Sequence, residues 1–194
     1  MPASVRFFFD YVDPASFVME RRISALTHEL RLEVERVPFE LRPPPAALID
    51  VRDVEWRRLW EMARRVAEEE GLVLAQPSFV PWSRKAHELA LLAREEERFP
   101  ALHRALFEAF ALEGKDLGRV DVLIALATRH GLERSRAKVA LDVDHHADTV
   151  NATREAAERL GIRGVPTLLS GERQLQGLPS PRTFLAFLRE SAVE

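Results

Sequence analysis

Strand-like sequence stands at both ends of this chain and helical periodicity fills the middle, an order that confines it to a small set of α/β architectures. Val5-Arg6-Phe7-Phe8-Phe9-Asp10-Tyr11-Val12 is a run of aromatic and β-branched residues, which suits a buried strand. Asp13-Pro14 then opens a helix, because aspartate is a favoured N-cap and proline suits the first helical position. That helix carries Phe17, Val18, Met19, Ile23 and Leu26 and ends near Leu30. Leu32 to Phe39 alternates apolar and polar residues, which predicts a second strand with one solvated face and completes a β-α-β unit.

Arg42-Pro43-Pro44-Pro45 breaks this pattern, and the spacing then predicts helices over 54–70, 83–97, 100–112, 120–130 and 133–141, with Gly71, Gly114, Gly118 and Gly131 near their ends. Trp56 and Trp60 share one helix face and are expected to be buried. Met19 and Met62 read as core residues. A helix over 143–160, closed by Gly161, returns the chain to α/β character. Two short strands follow, Gly164 to Leu169 and Arg173 to Gln176, joined by a tight Ser170-Gly171 turn. An amphipathic helix over 181–191 closes the sequence. The predicted organisation is one domain made of 1–42 plus 143–194, carrying a helical insertion over 43–142.

Composition excludes several functions. The 194 residues include no cysteine, which removes disulfides, thiolate nucleophiles and thiolate metal ligands together. A net charge of -3 argues against binding nucleic acid through phosphate neutralisation. No apolar run approaches the roughly 20 residues that a bilayer-crossing helix needs. The sequence enters a strand pattern directly after Met1-Pro2-Ala3-Ser4, without the basic and apolar regions of a secretory signal, so a cytoplasmic location is expected. Lysine and asparagine are scarce, which fits either heat adaptation or codon bias.

The element order, the four residues Asp13-Pro14-Ala15-Ser16 at the first helix, and Gly164-Val165-Pro166-Thr167 before the later strands together resemble the DsbA-like branch of the thioredoxin superfamily. Within it the chain looks most like FrnE-type proteins, 2-hydroxychromene-2-carboxylate isomerases and kappa-class glutathione transferases. Phe39-Glu40-Leu41-Arg42-Pro43, Ala86-His87, Ala105 to Phe110 and Gly161 to Pro166 also look like family positions. The resemblance implies a thioredoxin-like α/β fold with a large all-helical insertion between β-α-β and α-β-β-α halves. It implies a cis bond before Pro166, with Val165 and Pro166 forming a backbone edge that holds glutathione, another small thiol or an extended peptide. A homodimer is a further expectation, since related proteins are often dimers.

In redox members the first motif position is a cysteine, and in isomerase-like members a serine whose hydroxyl holds the sulfur of glutathione. Here that position is Asp13, and the second cysteine position is Ser16. An ionised carboxylate accepts hydrogen bonds but donates none. Beside a thiolate, at about 4 Å and an effective dielectric near 20, it would be repelled by roughly 4 kcal/mol. Asp13 is thus either a simple N-cap or a general base or anchor for a protonated group, with Ser16 offering a hydroxyl to the same pocket. Asp10, at the end of the first strand, would raise the pKa of Asp13 if it lies nearby.

Pro14, Trp82, Arg84 and His87 are the candidate substrate-binding residues, the last three lying where the insertion would cover the groove; Arg84, Lys85 and His87 could bind an anion there or be ordinary surface charges. Asp142, Asp144, His145, His146 and Asp148 look like a metal cluster, but on a helix the two histidines diverge, so a solvated helix start is expected and no metal. Two functions compete: an isomerase-like or glutathione-transferase-like enzyme acting on a small organic substrate with a thiol cofactor, and a redox-inactive protein that binds peptides.

Overall fold

The computed structural model describes residues 4–30 and 32–192, so positions 1–3, 31 and 193–194 of the expected 1–42 plus 143–194 unit lie outside it. β1 (Ser4–Phe9), α1 (Pro14–Leu30) and β2 (Glu33–Pro38) come first. They are followed by α2 (Val54–Glu69), α3 (Arg84–Glu95), α4 (Phe99–Ala111), α5 (Val120–Arg129) and α6 (Arg134–Asp142). The chain closes with α7 (Ala147–Arg159), β3 (Thr167–Ser170), β4 (Arg173–Gln176) and α8 (Pro181–Ser191). The sheet has the order β2-β1-β3-β4, with β1 parallel to β2 and β3 antiparallel to both of its neighbours.

β1 is apolar almost throughout because both faces of the sheet are covered. Val5, Phe7 and Phe9 point to one side, where they join Val18, Met19 and Ile23 of α1, Phe184 and Leu188 of α8, and the apolar faces of α2 to α6 in a single core. Phe8 points to the other side and packs with Val37, Leu169, Ile162 and Ala157 of α7. The helices of 43–142 therefore bury their apolar residues against the same strand and helix that carry the motif. In α2 the buried stripe is Trp56, Trp60, Ala63 and Ala67, at the three- and four-residue spacing of one helix face. Asp53 caps that helix, accepting from the amides of Glu55 and Trp56. Among the described residues no helix is long and apolar enough to cross a membrane.

Two elements differ from the sequence reading. β1 stops at Phe9, not Val12: at Asp10 the Leu41 amide is taken by the side-chain carboxylate at 2.7 Å, and the Asp10 carbonyl accepts from the Asp13 amide in the turn that leads into α1. The helix expected over 143–160 starts only at Ala147. Residues 143–146 form a turn in which Asp144 adopts φ 54°, held by hydrogen bonds from Lys85 Nζ to its carboxylate and to the Leu141 carbonyl.

Candidate functional site

The motif forms where β1 hands the chain to α1. The Asp13 amide donates to the Asp10 carbonyl at 3.2 Å, closing a tight turn. Asp13 then caps α1: its Oδ2 accepts from the Ser16 amide at 2.7 Å and from the Ser16 hydroxyl at 2.6 Å. Ser16 Oγ in turn accepts from the Asp10 amide at 3.3 Å. Asp10, Asp13, Pro14 and Ser16 are all buried, and Asp13 and Ser16 have no exposed surface at all. Among the described residues Asp13 Oδ1 has no hydrogen-bond partner. Burial pushes the Asp13 carboxyl up to about 7, against the downward pull of the Ser16 hydrogen bonds, and the charge of Asp10 adds to the rise. A carboxyl titrating near neutrality can give or take a proton under working conditions, which is what a general acid or base needs.

His87 is not on a surface, contrary to both readings of it as an anion-binding or solvated residue. It is fully buried, with Nε2 at 3.2 Å from Asp10 Oδ1 and its ring 4.9 Å from that of Tyr11. Helix α3 delivers it into the core because Ala86, Leu89, Ala90 and Ala93 on the same helix are buried too. Asp10 therefore joins three segments: the β1 turn, α3 through His87, and the Leu41 amide after β2. Next to it Glu40 is only 1% exposed and its carboxyl is raised by burial, while Arg84 donates to it at 2.6 Å and to the Asn151 side-chain oxygen of α7 at 2.7 Å.

Trp82 is partly exposed and donates its indole N–H to the Ala46 carbonyl at 3.0 Å. Trp82 and Arg84 line a cavity of about 580 Å³ with Pro44, Leu48, Phe79 and Lys85, and neither Asp13, Pro14, Ser16 nor His87 is among its walls. The candidate residues thus separate into a sealed group around Asp13 and an open group around Trp82. The Val165-Pro166 bond is cis. Register places this segment beside the end of β1, since Thr167 pairs with Phe8. Pro166 is buried and its carbonyl accepts from the Gly177 amide at 2.8 Å. Val165 is half-buried, and its main-chain N–H and C=O enter no hydrogen bond among the described residues.

A third group escaped the sequence reading. Tyr11 bonds His103 Nδ1 at 2.7 Å, and His103 Nε2 lies 3.3 Å from Glu20, whose carboxylate also accepts from Arg36 at 2.9 Å. Burial lowers the His103 pKa and raises that of Tyr11, so the phenol donates to a neutral imidazole whose Nε2–H faces Glu20. Burial works to raise Glu20 as well, but His103 and Arg36 together hold it at about 2. Glu20, Arg36 and His103 form part of the wall of a groove of about 440 Å³ between α1 and α4. Tyr11 and His103 are 92 positions apart, and no local pattern links them.

The DSBA-like thioredoxin domain model matches residues 4–189. The Bacillus subtilis (strain 168) protein YwbO, itself uncharacterized, is 29% identical over 189 residues, covering 95% of this chain and 94% of its own. Among solved structures, a 2-hydroxychromene-2-carboxylate isomerase superposes with a TM-score of 0.79 at 23% identity, over 98% of this chain and 94% of its own. The cytosolic disulfide reductase DsbM from Pseudomonas aeruginosa, solved with GSH, gives 0.67 at 19% identity, over 98% and 100%. At these identities the two structures bear on the fold alone. By the family match over 4–189, this chain belongs to the DSBA-like thioredoxin domain family.

Proposed function

We propose that this is a non-redox member of its family, an isomerase-like or glutathione-transferase-like enzyme that holds glutathione or another small thiol along the Val165-Pro166 edge and acts on a small organic substrate. A chain without cysteine has no protein thiol with which to exchange disulfides. The observation that carries the reading is the state of Asp13. Burial holds it at about 7, so near neutrality much of it is the protonated acid, and a protonated carboxyl donates a hydrogen bond to a neutral thiol sulfur, which a carboxylate, an acceptor only, does not. Ser16 occupies Oδ2 and leaves Oδ1 to carry that proton. Asp13 then fills the donor role that the family resemblance gives to a serine hydroxyl.

The likenesses to a 2-hydroxychromene-2-carboxylate isomerase and to a disulfide reductase solved with GSH support this choice of ligand and chemistry, and the reductase's cytosolic location supports a cytoplasmic one. Because Asp13 is fully covered, thiol engagement requires the motif to open. Calorimetric titration with glutathione at about pH 6 and pH 8 tests the proposal: the ligand thiol, near pKa 8.5, is mostly neutral at both, so affinity should be higher at the lower pH and fall as Asp13 ionises. Asp13→Ser should remove most of that pH dependence. No saturable binding at either pH, or equal affinity at both, would overturn the role of Asp13.

One observation favours a second reading. Asp13 and Ser16 are sealed, whereas Val165 keeps exposed surface and unengaged main-chain groups, an arrangement that suits recognition of an extended peptide without chemistry. Peptide binding that shifts Val165 amide signals while glutathione leaves them unmoved would select it.

A further inference from the structure

Sequence alone sets His145 and His146 apart, since consecutive residues on a helix point about 100° away from each other. The fold removes that objection. Residues 143–146 are a turn, and with Asp144 at φ 54° the two rings come together, 4.6 Å between centroids and close to perpendicular. Glu95, from the end of α3, reaches the same point. One ligand atom from each of Glu95, His145 and His146 lies within 4.8 Å of the other two, and Glu95 Oε1 is 3.7 Å from His146 Nε2.

His146 supplies an independent observation. Its side chain is only 9% exposed, yet Nε2 makes no hydrogen bond among the described residues and lies 3.7 Å from Glu95. A buried imidazole nitrogen without a partner is costly in a native structure and calls for a ligand. Asp142, Asp144 and Asp148, the other acids of the segment, are not in this group. Asp144 is held by Lys85 instead.

From this geometry we propose a metal site: Glu95, His145 and His146 bind a borderline divalent transition ion, zinc in the first instance, and so clip the end of α3 to the α6–α7 turn. Two imidazoles and a carboxylate suit zinc and its neighbours and are a poor set for magnesium or calcium, which prefer oxygen ligands throughout. Zinc bonds of about 2.1 Å put tetrahedral donors about 3.4 Å apart. The His146–Glu95 spacing is nearly that already, and the exposed side chains of Glu95 and His145 are free to close the remainder. A fourth position is left for water on the side of the cleft lined by Ser135, Arg136 and Val139. The Arg136 guanidinium in that cleft lies 2.6 Å from Glu96, which offsets its charge.

The test is calorimetric titration of chelator-treated full-length protein with zinc chloride, with magnesium chloride as the comparison ion. The expected result is saturable binding of one zinc ion per chain and none of magnesium. His145→Ala and Glu95→Gln change exposed side chains and should each fold normally, and each should weaken zinc by at least about tenfold, the scale on which altering even outer-shell partners acts. A thermal-shift series on the same proteins should show zinc raising the melting temperature of the wild type and not of the double variant. Absence of saturable zinc binding, or zinc affinity unchanged in both single variants, would overturn the site.

Discussion

Asp13, which caps α1, and Glu20, two turns along the chain from it, are both buried, and their carboxyls are driven in opposite directions, one up to about 7 and the other down to about 2. Burial alone raises either of them. What separates them is the company each keeps. Asp13 receives hydrogen bonds from the neutral Ser16 and lies in the field of the Asp10 carboxylate, with no cation in contact among the described residues. Glu20 meets the Arg36 guanidinium and the N–H of His103 beside an open groove. Asp13 is therefore a poised, near-neutral acid, whereas the residue two turns on is a fixed anion whose task is to hold Tyr11, His103 and Arg36 in line.

That contrast can be broken from either side. The largest effect is expected from Asp13→Asn, which keeps an acceptor for the Ser16 amide and removes the titration. A folded-state pKa of about 7 against 3.8 makes Asp13 destabilising once the unfolded chain ionises; the loss begins above pH 3.8, grows to about pH 7 and amounts to about 4 kcal/mol above it. The variant should gain up to that amount in urea denaturation at about pH 8 and nothing at about pH 3.5. Glu20→Gln should do the reverse. Its depressed value contributes stability that is present above 4.5 and lost as pH falls through about 2, so the variant should lose about 3 kcal/mol at neutral pH, with the loss shrinking in acid. Tyr11→Phe should cost less, about 1–2 kcal/mol by the same measurement, because it strands the buried His103 Nδ1 without altering a charge. If Asp13→Asn proved neutral at about pH 8 while Glu20→Gln behaved as described, the two acids would not differ as proposed.

Much of the fold was legible because it is written in local patterns. The aromatic run of β1, the Asp13 cap with Pro14 behind it, the Trp56-Trp60 stripe and the order of elements all depend on neighbours a few residues away. Asp10 was anticipated as an influence on Asp13, but the larger cause, complete burial, was not, because no spacing in one sequence says how thoroughly an insertion will cover a turn. His87 was misjudged for the same reason: its partner Asp10 is 77 residues away. The Tyr11–His103–Glu20 line depends on α4 crossing α1, a tertiary event with no periodic trace. The start of α7 was misplaced because the lysine that stabilises the left-handed Asp144 comes from α3.

The central claim is that Asp13, the buried cap of α1, is a protonated acid for much of its time at neutral pH. Carbon-13 carboxyl NMR of the aspartates across a pH titration reads this directly, with Asp13→Asn assigning the resonance. The account predicts an Asp13 midpoint near 7, and a midpoint at or below 4 would contradict it.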